Sequence, residues 1–196
     1  MKKYLVSAAV LGTLALGTLF TTVSPKADTT ATGSATVNLE AGDMSVTGPS
    51  FNFGTLTIGQ NVAGTHVNQT ANQLLTMTNF TGSSDPWTVT ASLTAMNNAD
   101  GAALPAGASL SFVGQGAVAA AGTTAKAPTN GGTAVNVVTG GDAGAIETAA
   151  AGEGMGQYTD DYTQSTLTIP TAGADSVKAG TYSGVITYTM SNTAAE

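Results

Sequence analysis

The sequence contains no cysteine and no arginine, and it has a single histidine. Without cysteine there is no disulfide and no cysteine-linked lipid anchor. His66 has no second histidine or cysteine with which to form a metal site or a nucleophile–base pair, so we interpret it as a surface loop residue. These absences favour a non-catalytic protein, and no motif in the chain calls for a cofactor.

Positive charge is also scarce. The chain has five cationic residues against 12 acidic ones, which gives a formal net charge of −7. Three of the five are lysines within the first 26 residues, so only Lys126 and Lys178 lie further along the chain. A polyanion such as DNA would be repelled by this protein, so nucleic acid is excluded as a partner.

The N-terminus has the pattern of an export signal. Lys2 and Lys3 precede an apolar stretch over residues 5–20, and a short polar segment follows it. We expect cleavage after Ala27, which leaves residues 28–196 as one secreted domain with no stable membrane anchor. The alternative, an uncleaved membrane anchor, is disfavoured by Lys26 and by the weak hydrophobicity of a run rich in glycine and threonine.

Good helix formers are few, and charged residues make up 9% of the chain. Threonine and valine are abundant instead, and they suit the half-buried surface of a pleated sheet. Segments that alternate between apolar and polar residues are separated by turn residues, and they predict strands at residues 35–39, 51–58, 74–79, 87–93, 109–113, 165–169 and 180–190. The predicted fold is therefore all-β: an antiparallel β-sandwich or Greek-key barrel, Ig-like in general architecture, with no helix longer than a turn or two after residue 27.

Two local features modify this pattern. The apolar phase of residues 51–58 changes at Gly54, which indicates a β-bulge. Residues 114–156 are rich in glycine and alanine, with a weak strand signal at residues 134–139. We expect this region to be a long, partly mobile excursion or a poorly regular sheet edge.

Two aromatic-Thr-aliphatic triplets are found in the predicted strands, Trp87-Thr88-Val89 in mid-chain and Tyr188-Thr189-Met190 near the end. Two further segments accompany them, Phe51-Asn52-Phe53-Gly54 and Ala179-Gly180-Thr181-Tyr182. Together they resemble the WxL cell-surface domain of Gram-positive bacteria. Val89 and Met190 stand where that family has leucine, and Tyr188 stands where it has its second tryptophan.

The resemblance implies a protein of the cell surface that binds peptidoglycan or another cell-wall polymer non-covalently, or that docks on a WxL-interacting surface protein. The binding residues it implies are Trp87, Val89, Tyr188 and Met190. The two aromatic residues could be exposed platforms that stack on sugars. Alternatively they are core residues that pack against one another, and the alternation along each strand favours this second interpretation.

Two other functions are compatible with the composition. A self-assembling subunit of a secreted fibre or surface layer could associate through sheet edges. A hydrolase could use Asp160 and Asp161 as a carboxylate pair, but adjacent residues of a strand point to opposite faces. Residues 97–101 and 160–161 could also supply oxygens to calcium, although their spacing is more typical of turns.

Overall fold

The computed structural model describes residues 32–130 and 134–193, and the expected signal peptide, residues 1–27, lies outside these ranges. The chain divides into two units, Met1–Asn38 and Leu39–Glu196. The described part of the first unit, residues 32–38, has no regular secondary structure and its side chains are exposed. The predicted strand at residues 35–39 is therefore wrong: the alternation is present, but no neighbouring strand pairs with it.

The second unit contains all the strands of the described residues. They are β1 (Met44–Thr47), β2 (Gly64–Val67), β3 (Leu74–Asn79), β4 (Trp87–Leu93), β5 (Ser109–Phe112), β6 (Val118–Ala119), β7 (Val135–Val138), β8 (Gly144–Ala149), β9 (Gly156–Asp161), β10 (Thr166–Ile169) and β11 (Ile186–Asn192). Within the described ranges the helical structure consists of one 3₁₀ turn, Ala174–Ser176.

The strands form three antiparallel sheets with the orders β1-β3-β9-β6, β2-β10-β5-β7 and β11-β4-β8. The all-β, antiparallel, sandwich-like prediction is confirmed. The Ig-like detail stays a prediction, because the strands are divided among three sheets.

The central strand β4 shows why the sequence folds in this way. Trp87, Val89, Ala91 and Leu93 are buried, and the threonines and serine between them are half-buried. This alternation gives the strand one face for the core and one for solvent. The buried face belongs to a large apolar cluster with contributions from β3, β4, β5, β7, β8 and β9. A smaller cluster comprises Val62, Leu167, Ile169 and Ala174.

Residues 51–58 contain no strand, so the strand and the bulge predicted there are both wrong. Gly54 has a left-handed φ of 74°, and the Asn52 side-chain oxygen accepts a hydrogen bond of 2.9 Å from its backbone N–H. An Asn side chain that bonds the backbone two residues on forms a turn in place of a sheet ladder. The change of apolar phase therefore marks a turn within an irregular segment.

Residues 114–156 contribute β6, β7 and β8, each at the edge of its sheet. Only β7 coincides with the predicted weak signal at residues 134–139. The strand β9 was not predicted, and it contains Asp160 and Asp161. The turn expected for these two residues is therefore wrong, but they do point to opposite faces, since Asp160 is buried and Asp161 is half-buried.

Three further local predictions can be compared with the structure. His66 lies in the edge strand β2, half-buried, with Nε2 2.9 Å from the Val62 carbonyl oxygen, so the loop assignment is wrong. Residues 97–101 do form a turn, in which the Asn98 side-chain oxygen accepts from the backbone N–H groups of Asp100 and Ala102. The last strand begins at Ile186, later than expected, and Ser183 makes an isolated bridge to Asn97.

Candidate functional site

The strands that carry the two aromatic triplets are direct neighbours in one sheet. In the β4–β11 ladder Val89 faces Met190, Ala91 faces Tyr188, and Trp87 faces Asn192. Trp87 and Ala91 are four residues apart, which corresponds to about 13 Å along a strand. The expectation that Trp87 and Tyr188 pack against one another is therefore wrong, although the two strands do pair.

Trp87 and Val89 have no exposed surface, so the structure places them in the core, as the alternation predicts. The backbone at Gly154 lies against the Trp87 indole, and a methyl group there would come within 2.5 Å of Cζ2. The indole Nε1 has no hydrogen-bond partner among the described residues. Trp87 therefore stabilises the core by apolar packing, and its indole nitrogen makes no hydrogen bond to the described residues.

Tyr188 and Met190 are half-buried against the same cluster. The Tyr188 ring meets Phe112 edge-on, with centroids 6.2 Å apart. Its hydroxyl donates to the Pro49 carbonyl oxygen at 2.9 Å, and burial raises the pKa of that hydroxyl well above its usual range. The four motif residues thus share one packed sheet face, and the role in ligand binding assigned to them stays a prediction.

The opposite face of the same sheet consists mainly of hydroxyl side chains, with the exposed Ala145 beside them, and we call it the hydroxyl face. Every member is half-buried or exposed and none is charged: Thr88, Thr90 and Ser92 of β4, Thr187, Thr189 and Ser191 of β11, and Thr148 of β8. Alternation explains the arrangement, because each hydroxyl residue of β4 lies between two buried apolar ones. The burial of the motif residues thus presents a regular polar surface on the other side.

A cleft of about 830 Å³ lies elsewhere in the same unit. Its lining includes the whole of residues 51–54 and 179–182, the two accessory segments of the sequence pattern. The Phe51 and Phe53 rings are stacked with centroids 6.2 Å apart. The Tyr182 hydroxyl lies within hydrogen-bond distance of the backbone N–H and carbonyl of Lys178, which fixes the turn at the cleft. We call this site the motif cleft. The sequence showed these segments, but nothing in it showed that they meet.

Glu147 and Asp160 form a buried acidic pair on the core side of the sheet β11-β4-β8, which we call the motif sheet. A bulge in β8 shifts the register so that Val89 faces Glu147 while Thr90 faces Ala145. As a result, both Ile146 and Glu147 are buried, although they are adjacent in a strand. The sequence alternation failed to predict β8 because a bulge breaks the period of two.

Hydrogen bonds compensate only in part for the burial of the Glu147 carboxyl group. The Tyr162 hydroxyl lies 3.0 Å from Glu147 Oε1, while Oε2 has no hydrogen-bond partner among the described residues. Burial raises the pKa of Glu147 to about 9, and the neighbouring Asp160 adds to the rise. Glu147 is therefore protonated at neutral pH.

Asp160 is buried but well supplied with donors. The backbone N–H groups of Gln115 and Gly116 donate to Oδ1 at 2.8 and 2.9 Å, and the Asn130 side chain donates to Oδ2 at 3.1 Å.

Two further absences apply to the described ranges only. No group of three or more histidine or acidic side chains there could hold a metal ion. No helix there has the length and apolar character needed to cross a membrane.

Comparison with models of protein families matches residues 21–194 to the family described as WxL domain surface cell wall-binding. No curated protein and no solved structure matches the chain. The matched range contains both aromatic triplets, the hydroxyl face and the motif cleft. The family binds cell walls and is not a catalytic one, which places the protein at the cell surface or cell wall. The chain belongs to the WxL domain family of surface cell-wall-binding proteins.

Proposed function

We propose that this protein is a non-catalytic surface protein that binds the peptidoglycan of a Gram-positive cell wall non-covalently. The hydroxyl face is the observation that carries this proposal. Its seven uncharged hydroxyl side chains lie on three adjacent strands, two of which contain the aromatic triplets. Hydroxyl groups both donate and accept hydrogen bonds, so the face matches the hydroxyl and acetamido groups of a glycan strand.

The hydroxyl face is also suited to contact with a cell wall that carries carboxylates. The chain has a net charge of −7, so an acidic patch at the contact would oppose binding. The hydroxyl face has no acidic side chain, because Glu147, the one carboxylate of its strands, points into the core. Contact through this face therefore avoids like-charge repulsion at short range.

The proposal is tested by incubating purified mature protein with purified Gram-positive sacculi and assaying the pellet. We expect the protein to sediment with the sacculi and to be released by a denaturant without enzymatic digestion. Thr189→Glu places a carboxylate on the hydroxyl face, so it should reduce the bound fraction. Thr70→Glu changes an exposed threonine outside this face and serves as the control.

Other outcomes point to other functions. If the protein does not sediment with sacculi but binds a WxL-interacting surface protein, the docking function replaces direct wall binding. If it sediments without sacculi in a concentration-dependent way, it is a self-assembling subunit. Release that requires digestion of the wall would contradict non-covalent binding.

A further inference from the structure

The motif cleft has the size and lining of a small-molecule site. Its volume of about 830 Å³ falls within the range of roughly 300–1,000 Å³ that is typical of ligand pockets. The smaller apolar cluster closes one side of it through Val62, Leu167 and Ile169. The cleft is therefore a preformed concave surface, unlike the hydroxyl face.

The aromatic side chains of the cleft remain accessible. Phe51, Phe53 and Tyr182 line the cleft and are half-buried, so none of them is fully enclosed by the core. Polar groups lie between them. Asn52 and Thr181 are exposed, and the Asn52 side-chain oxygen already accepts from Gly54, which leaves the amide nitrogen as a donor. An apolar ring surface beside hydrogen-bonding groups suits a sugar, which has an apolar C–H face and polar edges. An acyl chain would leave these polar groups without partners.

Lys178 gives the cleft a positive charge, which favours a ligand that carries a negatively charged group. Two lysines lie in the described ranges, and Lys126 is paired with Glu153 at 2.5 Å. Lys178 lines the cleft, is exposed and makes no ion pair with any described residue. In a chain with 12 acidic residues, an unpaired cation beside aromatic rings provides a local attraction for an anion.

We propose that the motif cleft binds a muropeptide, that is, an N-acetylated amino sugar that bears a short peptide with free carboxylates. The sugar packs on Phe53 and Tyr182, and a carboxylate is bound by Lys178. This inference rests on the proposed wall binding and names the part of the wall that the protein recognises. The ends of cut or incompletely cross-linked strands present such groups, whereas the hydroxyl face contacts the strand along its length.

The test uses the mature protein, labelled with ¹⁵N and titrated with N-acetylmuramyl dipeptide while amide shifts are recorded. We expect shifts confined to the residues that line the cleft, with the largest ones at residues 51–58 and 177–182. Lys178→Gln should weaken binding roughly three- to fivefold, the effect of an exposed charge pair. Tyr182→Ala should weaken it roughly three- to tenfold, because it removes an aromatic contact. Lys126→Gln removes the same charge outside the cleft and should leave the affinity unchanged.

A neutral trisaccharide of N-acetylglucosamine tests the role of the charge. It should bind the wild type more weakly than the muropeptide, and Lys178→Gln should not change its affinity. Equal affinity for both probes would overturn the assignment of Lys178. Shifts outside the cleft, or no shifts while the protein still sediments with sacculi, would overturn the cleft proposal and leave wall binding intact. Muropeptide binding in the cleft without sedimentation would overturn the proposed function alone.

Discussion

At the scale of the residue, Trp87 has the surroundings of a packing side chain. It has no exposed surface, and its ring lies against Gly154. We expect Trp87→Ala to lower the free energy of unfolding by about 3–5 kcal/mol, a large share of a typical 5–15 kcal/mol. Urea denaturation followed by circular dichroism measures this change. Wall binding by the variant should fall together with its folded fraction.

Trp87→Phe is the matched control for this change. It keeps an aromatic ring in the core and removes an N–H group that has no hydrogen-bond partner in the part of the chain that the structure describes. Its cost should therefore be clearly smaller than that of the alanine variant. If Trp87→Ala unfolded at the wild-type urea concentration and lost only wall binding, the residue would contact the ligand in a state that exposes it, and the packing interpretation would be wrong.

Glu147 makes stability depend on pH. Its pKa is about 9 in the folded protein, against about 4.3 in an unfolded chain. Between these values the folded state keeps a proton on Glu147 that the unfolded state releases. The stability that comes from this proton is fully present below the unfolded pKa and is lost as the pH rises toward 9. Relative to Glu147→Gln, the wild type should lose stability over this interval, with a slope of at most about 1.4 kcal/mol per pH unit.

The measurement is urea denaturation of both proteins at pH 5, 7 and 9. Asp160 and Tyr162, the neighbours of Glu147, are present in both proteins, so the difference between the two curves isolates the Glu147 proton. Glu153→Gln is the control, because Lys126 lowers the pKa of Glu153 and its titration falls below this interval. A difference between wild type and Glu147→Gln that stays constant from pH 5 to 9 would show that Glu147 titrates alike in both states.

At the scale of the element, strands with strict alternation could be predicted from the sequence. The prediction for β3 and β4 matches both ends of each strand. Strict alternation allows only one assignment of side chains to the buried face of a sheet, so the pattern can be read from the sequence. The pairing of the two motif strands and their register were not predicted, because both depend on neighbours far away in the chain.

The strands that the sequence did not reveal have physical reasons in common. β8 contains a bulge that buries two adjacent residues. β9 contains Asp160, a buried carboxylate whose donors come from residues 115, 116 and 130. A buried charged residue such as Asp160 predicts a turn when the sequence is taken alone, because the groups that donate hydrogen bonds to it lie elsewhere in the chain. The motif cleft could not be predicted for a similar reason: its two segments are more than 120 residues apart in the sequence, and only the fold brings them together.

At the scale of the whole molecule, the two apolar clusters differ greatly in size. The larger one contains buried side chains from six strands, Trp87 and Val89 among them, and Tyr188 and Met190 pack against it. The smaller one has four buried residues and lies under the motif cleft. Buried apolar area is the main source of local stability. The part of the domain that carries the cleft should therefore open at a lower free energy than the part that carries the motif sheet.

Native-state hydrogen exchange tests this difference. Amides of β4, which lies between β11 and β8, should exchange only through global unfolding and should respond steeply to low concentrations of urea. Amides of β2, an edge strand beside the smaller cluster, should exchange faster and respond little, because a local opening exposes little surface. Equal protection of β2 and β4 would show that the domain unfolds as one unit. A muropeptide in the cleft should slow the exchange of β2 and leave β4 unchanged at low ligand occupancy, since a ligand stabilises first the local state to which it binds.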